Sequence, residues 1–219
     1  MSSALRSLGL ATVGTLLFAC GSHVTTFPPG LEPLEATNTA PLPAAVAGDE
    51  HPETINFVTG VTPDYYWVHG RAYVHASIVA VWSAMHDPET CVDRRKVAMW
   101  TTTPITDPMY DVSFLIHNVV HDALTLEFDV TWRESVVDGP RDNPNVVSAR
   151  FQKTDGTDII SLLAGSAIAT RIDDQTTQLD FIEHLQSLGG SVDIPRSYLA
   201  DYYASIVARA HGRPLPTYP

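Results

Sequence analysis

The sequence predicts an α+β domain in which an antiparallel sheet of about six to seven strands is covered by one long C-terminal helix. Two observations carry this. From Tyr65 to about Leu185 the apolar residues recur chiefly at every second position, the period of a half-buried strand, and after Gly189-Gly190 they recur at helical spacing. A third bears on where the domain resides: the one sustained apolar run lies at the N-terminus and is too short to span a bilayer, which needs about 20 residues.

That run holds Leu8, Leu10, Ala11, Val13, Leu16, Leu17, Phe18 and Ala19, preceded by Arg6 and closed by Cys20. A basic end followed by a short apolar stretch reads as a secretory signal. Leu17-Phe18-Ala19-Cys20 resembles the lipobox of bacterial lipoproteins, with a leucine three residues before the cysteine and a small residue next to it; Phe18 departs from the usual small residue between them. The resemblance implies that residues 1–19 are removed, that Cys20 is acylated on sulfur and on its new amine, and that the lipid membrane is a partner. Several acyl chains hold stably where one holds only marginally. Gly21 follows where an inner-membrane lipoprotein would carry aspartate, so the expected location is the outer membrane of a bacterial envelope, facing the periplasm.

Residues 20–58 read as the acylated cysteine and a proline-rich spacer. Six of the 16 prolines fall between Ser22 and Glu53, and neither a helical nor an alternating period survives there. Residues 59–213 are expected to form one domain and 214–219 a tail. Within the domain, Tyr65–Ala76 alternates as a strand, with Tyr66, Val68, Gly70, Ala72 and Val74 on one face. Ser77 stands as the N-cap of a short helix presenting Ile78, Val81, Trp82 and Met85 on one side. His86-Asp87-Pro88 breaks it, and a second short helix starts at Pro88 and runs to about Arg95.

Strands follow. Leu124, Leu126, Phe128, Val130 and Trp132 alternate with polar residues, and so do Val147, Ala149 and Phe151. Thr154-Asp155-Gly156-Thr157 reads as a hairpin turn. Ile159–Ile172 reads as a long strand in which Gly165 permits a bend, and Leu179, Phe181 and Leu185 mark another. Pro195 opens the final helix, whose stripe is Leu199, Tyr202, Tyr203, Ile206, Val207 and Ala210, ended by Gly212 and Pro214. A sheet of this kind must cover its apolar face, and the last helix is the element long enough to do so.

The stretch VHASIVAVWSAMHDPE, Val74–Glu89, resembles the opening of the START-like superfamily, which includes polyketide cyclases, aromatase/cyclases and Bet v 1-type proteins. Val81-Trp82 and Asp87-Pro88 match its pattern, and Ser77 stands where the family usually has proline. The resemblance implies a helix-grip fold: a curved sheet wraps the C-terminal helix and leaves an apolar cavity between them. Trp82, Phe128, Trp132, Phe151, Leu163, Phe181 and Tyr202 are the candidate lining residues for an apolar or amphipathic, lipid-like or polycyclic ligand. Two other readings compete. One is a cyclase-type enzyme using a cavity carboxylate, for which Glu183, on the strand face of Phe181 and Leu185, is a weak catalytic candidate. The other is an envelope interaction protein with a filled core.

Composition excludes other classes. A formal charge of −12, which becomes more negative once Arg6 is removed, and the lack of Lys/Arg clusters argue against nucleic-acid binding. No phosphate loop, GxSxG elbow, CxxC or HExxH occurs, and no cofactor is expected. His117 and His121 share a strand face about 13 Å apart, too far for one metal. The histidines are expected on the surface and no metal site is expected. Cys91, the only cysteine besides Cys20, reads as a small buried hydrophobe.

Overall fold

The computed structural model describes residues 25–35, 37–121 and 124–218. The apolar run and the Leu17–Cys20 motif lie outside them, so the expectations for Cys20 rest on sequence alone. In chain order the elements are β1 (Ile55–Val61), β2 (Tyr66–Val74), α1 (Ile78–Met85), α2 (Pro88–Cys91), β3 (Val97–Pro104), β4 (Val112–His121), β5 (Thr125–Asp138), β6 (Val146–Gly156), β7 (Ile160–Arg171), β8 (Thr177–Ser187) and α3 (Asp193–Ala210). The fold is α+β, as expected, but the sheet has eight strands, in the order β1-β2-β8-β7-β6-β5-β4-β3. After β2 the chain crosses through α1 and α2 to the far edge, then returns by successive antiparallel hairpins until β8 pairs with β2.

The strands absent from the sequence reading are the two edges. β3 has one buried residue, Val97, and then runs exposed to Pro104 except at the half-buried Trp100, so no alternation marks it. β1 is nowhere fully buried and falls largely within the segment read as spacer. An edge strand lacks a partner on one side and needs fewer apolar residues to hold its place. Other boundaries shift. α2 ends at Cys91 rather than Arg95, α3 starts at Asp193, and β6 continues to Gly156, which places the turn to β7 at 157–159. Gly156 has φ +99°, and a Cβ there would lie 2.3 Å from the Glu127 carbonyl oxygen, so this position demands glycine.

The short helices form where their caps dictate. The Ser77 side chain accepts from the Ala80 amide at the start of α1, and Asp87 accepts from Glu89 at the start of α2, with Pro88 in the first turn. Two helices share the inner face of the sheet. α3 packs on β1, β2, β8 and α1, while α1 also meets β7. Leu199, Tyr202 and Ile206 of α3 are buried against Phe181, Ala72 and Val68 in one continuous core.

The segment expected to be a spacer is instead a strap across the outer face of the sheet. Leu31 is 0% exposed, and its carbonyl accepts from the Ser148 hydroxyl at 3.0 Å. Asn38 donates its amide to the carbonyls of Gly70 and Phe181, both at 3.0 Å. The Thr39 amide donates to His69 Nδ1 at 2.9 Å. Glu35 Oε1 lies 2.5 Å from His184 Nε2 and 3.3 Å from His69 Nε2. Two histidines expected on the surface are therefore buried beneath the strap, with Tyr65 stacked on His184. Proline gives the segment irregular backbone, and side-chain bonds to the sheet fix it in place of a ladder.

Candidate functional site: a half-polar cavity under the C-terminal helix

Along β5 the inner-face residues are Leu126, Phe128, Val130, Trp132 and Glu134, and the neighbouring strands present Ile116 and Asn118 (β4), Phe151 (β6), Leu163 (β7) and Glu183 (β8) to the same side. α3 leans toward β1, β2 and β8, so it leaves the concave side of β4–β7 partly uncovered at one end. A cavity of about 250 Å³ remains there. Phe128, Trp132, Phe151 and Leu163, four of the seven expected lining residues, form its apolar wall.

Phe151 is held tightly. Its ring lies 4.4 Å from that of Trp132, and it occupies the space above Gly165, where a Cβ would come within 1.8 Å of Phe151 Cζ. Gly165 is thus a close-approach glycine that lets an aromatic ring lie flat on the sheet.

Trp82, Phe181 and Tyr202 do not line the cavity. Tyr202 sits on the part of α3 that covers β8 and β2, and its ring packs 5.6 Å from both Phe181 and Trp132, filling the space between them. Trp82 is at the closed end, where its Nε1 donates to Glu134 Oε2 at 2.8 Å. These three are core. Their inward direction was readable, but which part of the inner face the helices cover depends on how α1 and α3 lie on the sheet.

The polar part of the wall was largely missed. Glu183, the one candidate carboxylate named, is 2% exposed, and its Oε2 has no hydrogen-bond partner. Burial, with Asp93 adding repulsion, raises its pKa well above the ordinary carboxyl value. Asp93 and Lys96, from the loop after α2, also border the cavity, and burial raises the Asp93 pKa. Asn118 lies on the inner face of β4, and Tyr198 precedes Tyr202 by one helical turn. The Tyr198 hydroxyl donates to the Cys91 carbonyl at 2.9 Å. Asn118 and Tyr198 follow from strand and helix periods already read; Asp93 and Lys96 lie on an irregular loop that no period marks. Cys91 is a buried free thiol that donates to the Met85 carbonyl, and burial raises its pKa.

The cavity opens where β4 and β8 end and β5 and β7 begin, beside the Ser187–Gly190 turn and Ile194 of α3. Leu188 on that turn is 84% exposed. His117 and His121 lie on β4 and are bound to their own neighbours, His117 to Asp129 at 2.7 Å and His121 to Thr125 at 3.2 Å. Among the described residues no group of His, Cys, Asp and Glu is placed to hold a metal ion.

No protein-family model matches the chain, and no curated protein does so. Solved structures do resemble it. The human StarD13 lipid transfer and protein localization domain superposes with a TM-score of 0.50 at 12% identity, covering 74% of this chain and 85% of that one. A STAR-related lipid transfer protein from Xanthomonas axonopodis gives 0.49 at 10% identity over 79% and 97% of the two chains. The Zhui aromatase/cyclase from a Streptomyces species gives 0.44 at 14% identity over 67% and 94%. These neighbours are START/Bet v 1-like domains. At 12% identity the likeness to the StarD13 domain bears on the fold alone, which in this chain is an eight-stranded antiparallel sheet with a C-terminal helix and a cavity between the two.

Proposed function

We propose that this chain binds an apolar or amphipathic small molecule in the cavity between the sheet and α3. The carrying observation is the cavity itself, about 250 Å³, open at one end and walled by Phe128, Trp132, Phe151 and Leu163. Small-molecule sites are concave and mostly apolar with a few placed polar groups, and this wall has that composition. The shared fold with a lipid transfer domain supports the reading. The test is native mass spectrometry of the purified protein, followed by organic extraction and displacement of a neutral polycyclic fluorophore. A stoichiometric apolar molecule or saturable displacement is expected. A protein that carries nothing and takes up no probe refutes the reading.

The proposal includes a location. The Leu17–Cys20 motif supports an envelope protein anchored by acylated Cys20, on the periplasmic side of the outer membrane. Cys20→Ala is expected to abolish labelling by a palmitate analogue, and unchanged labelling of that variant removes the anchor. One observation favours a second reading, an acid–base enzyme: Glu183 is a buried carboxyl with a raised pKa facing the cavity. Turnover of a bound substrate by wild type and its loss in Glu183→Gln would select that reading over simple binding.

A further inference from the structure

The polar wall of the cavity offers acceptors. Both amide protons of Asn118 are committed, to the carbonyls of Ile116 at 3.0 Å and Phe128 at 3.5 Å, so its remaining capacity is its carbonyl oxygen. The Tyr198 hydroxyl spends its proton on the Cys91 carbonyl and retains a lone pair. Glu183 presents an oxygen that is buried and unpartnered. Asp93 adds a second carboxyl, against which stands one cation, the exposed Lys96.

An apolar cavity with two carboxyls to one ammonium, and with the free Asn118 carbonyl and Tyr198 lone pair beside them, matches one kind of head group. We propose that the ligand carries a protonated amine on an apolar body, with the ammonium held by Glu183 and directed by Asp93. This rests on the reading of the cavity as a ligand site and narrows it to a chemical class. An alkyl ammonium supplies three donors and one positive charge, which satisfy the unpartnered Glu183 oxygen and offset the charge that Glu183 takes on when it gives up its proton. A fatty-acid carboxylate brings no donor, and adds an anion where burial and Asp93 already disfavour charge on Glu183. An alcohol supplies one donor and no charge.

The proton accounting gives a signature that a merely apolar site lacks. In the unliganded protein burial and Asp93 both raise the Glu183 pKa and so favour its protonated form. The groups that bear on it are Asp93 from the loop after α2 and Tyr198 from α3, with Cys91 and Lys96 also on the cavity wall. Octylammonium enters already protonated, so an ion pair forms only when Glu183 gives its proton to the solvent. One proton is released per ligand, and affinity rises about tenfold per pH unit until the pH reaches the pKa of free Glu183.

The experiment uses the full chain in lipid nanodiscs, with empty nanodiscs subtracted. Octylammonium, octanol and octanoate are titrated by calorimetry in buffers of different ionisation enthalpy. The expected result is octylammonium binding at least tenfold tighter than either competitor, with one proton released. Glu183→Gln should bring octylammonium to the level of octanol. The proton count comes from the wild type and holds even if that variant does not fold. Octanol binding as tightly as octylammonium, or octanoate binding tightest, overturns the amine proposal while the cavity reading stands. Binding by none of the three overturns both.

Discussion

Glu134 makes the stability of this domain fall as pH rises across the neutral range. Its carboxyl lies at the closed end of the sheet, 0% exposed. One oxygen accepts from Trp82 Nε1 at 2.8 Å and the other has no partner. Burial raises its pKa from 4.5 to about 8, against a smaller lowering by the Trp82 hydrogen bond. The nearby His86, with Nδ1 3.8 Å from the carboxylate, has its pKa lowered by burial, so both members stay neutral near pH 7 and form no ion pair. An acid with a raised folded pKa holds its proton more tightly in the folded state. Its contribution is therefore complete below pH 4.5 and is lost as pH rises toward 8.

At about 1.4 kcal/mol per unit, the whole shift is worth about 5 kcal/mol, and the interval from pH 5.5 to 7.5 about 3 kcal/mol. The perturbation is Glu134→Gln, which keeps the shape and an acceptor for Trp82 and removes the titration. Urea unfolding at pH 5.5 and 7.5 measures it. Wild type should lose about 3 kcal/mol more than the variant between the two pH values. Glu183 and Asp93, also raised, push in the same direction, and His86 pushes in the opposite one. All three remain in the variant, so the difference isolates Glu134. Parallel pH dependences in the two proteins would refute the argument.

Gly165→Ala should push the Phe151 ring toward Trp132 and the cavity, destabilising the fold by about 1–3 kcal/mol and weakening neutral-probe binding; unchanged affinity would show that Phe151 does not set the cavity's size. Truncation before Asp193 removes Leu199, Tyr202 and Ile206 from the core and should abolish the cooperative melt, read by calorimetry. Glu35→Ala removes the strap's contact with His184 and His69 and should cost about 1–3 kcal/mol. Amide exchange should then rise across residues 37–48, and unchanged protection there would show that the Asn38 and Thr39 bonds suffice alone.

What was legible in the sequence follows from how strongly each segment is constrained. Central strands bury one whole face, so Phe128, Trp132 and Phe151 declared themselves by alternation, and the stripe from Leu199 to Val207 declared α3. Edge strands and the strap are held from one side, and their backbone satisfaction comes from partners remote in sequence, such as Asn38 reaching Gly70 and Phe181. The polar residues of the site divide the same way. Glu134 continues the series Leu126, Phe128, Val130 and Trp132 by one more inward step, yet a glutamate at the end of an apolar alternation reads as the strand's exit into solvent. Its burial depends on α1 bringing Trp82 across from another part of the chain.

The N-terminal end of the strap and the cavity mouth lie at opposite ends of the sheet, and this bears on the anchored form proposed above. Pro29 is fixed by the Tyr110 hydroxyl in the β3–β4 connection, and Leu31 by Ser148 near the start of β6. The mouth lies where β4 and β8 end. Along β5 the two ends are separated by the eight steps from Glu134 to Leu126, roughly 26 Å. Because the strap is docked, most of the segment expected as spacer cannot extend. Only nine residue-to-residue steps lead from Cys20 to Pro29, a reach of at most about 32 Å. A chain held at Cys20 would thus leave the domain at its closed end, beside Glu134 and Trp82, on a tether whose full reach exceeds the length of the sheet, so that either end can turn toward the bilayer.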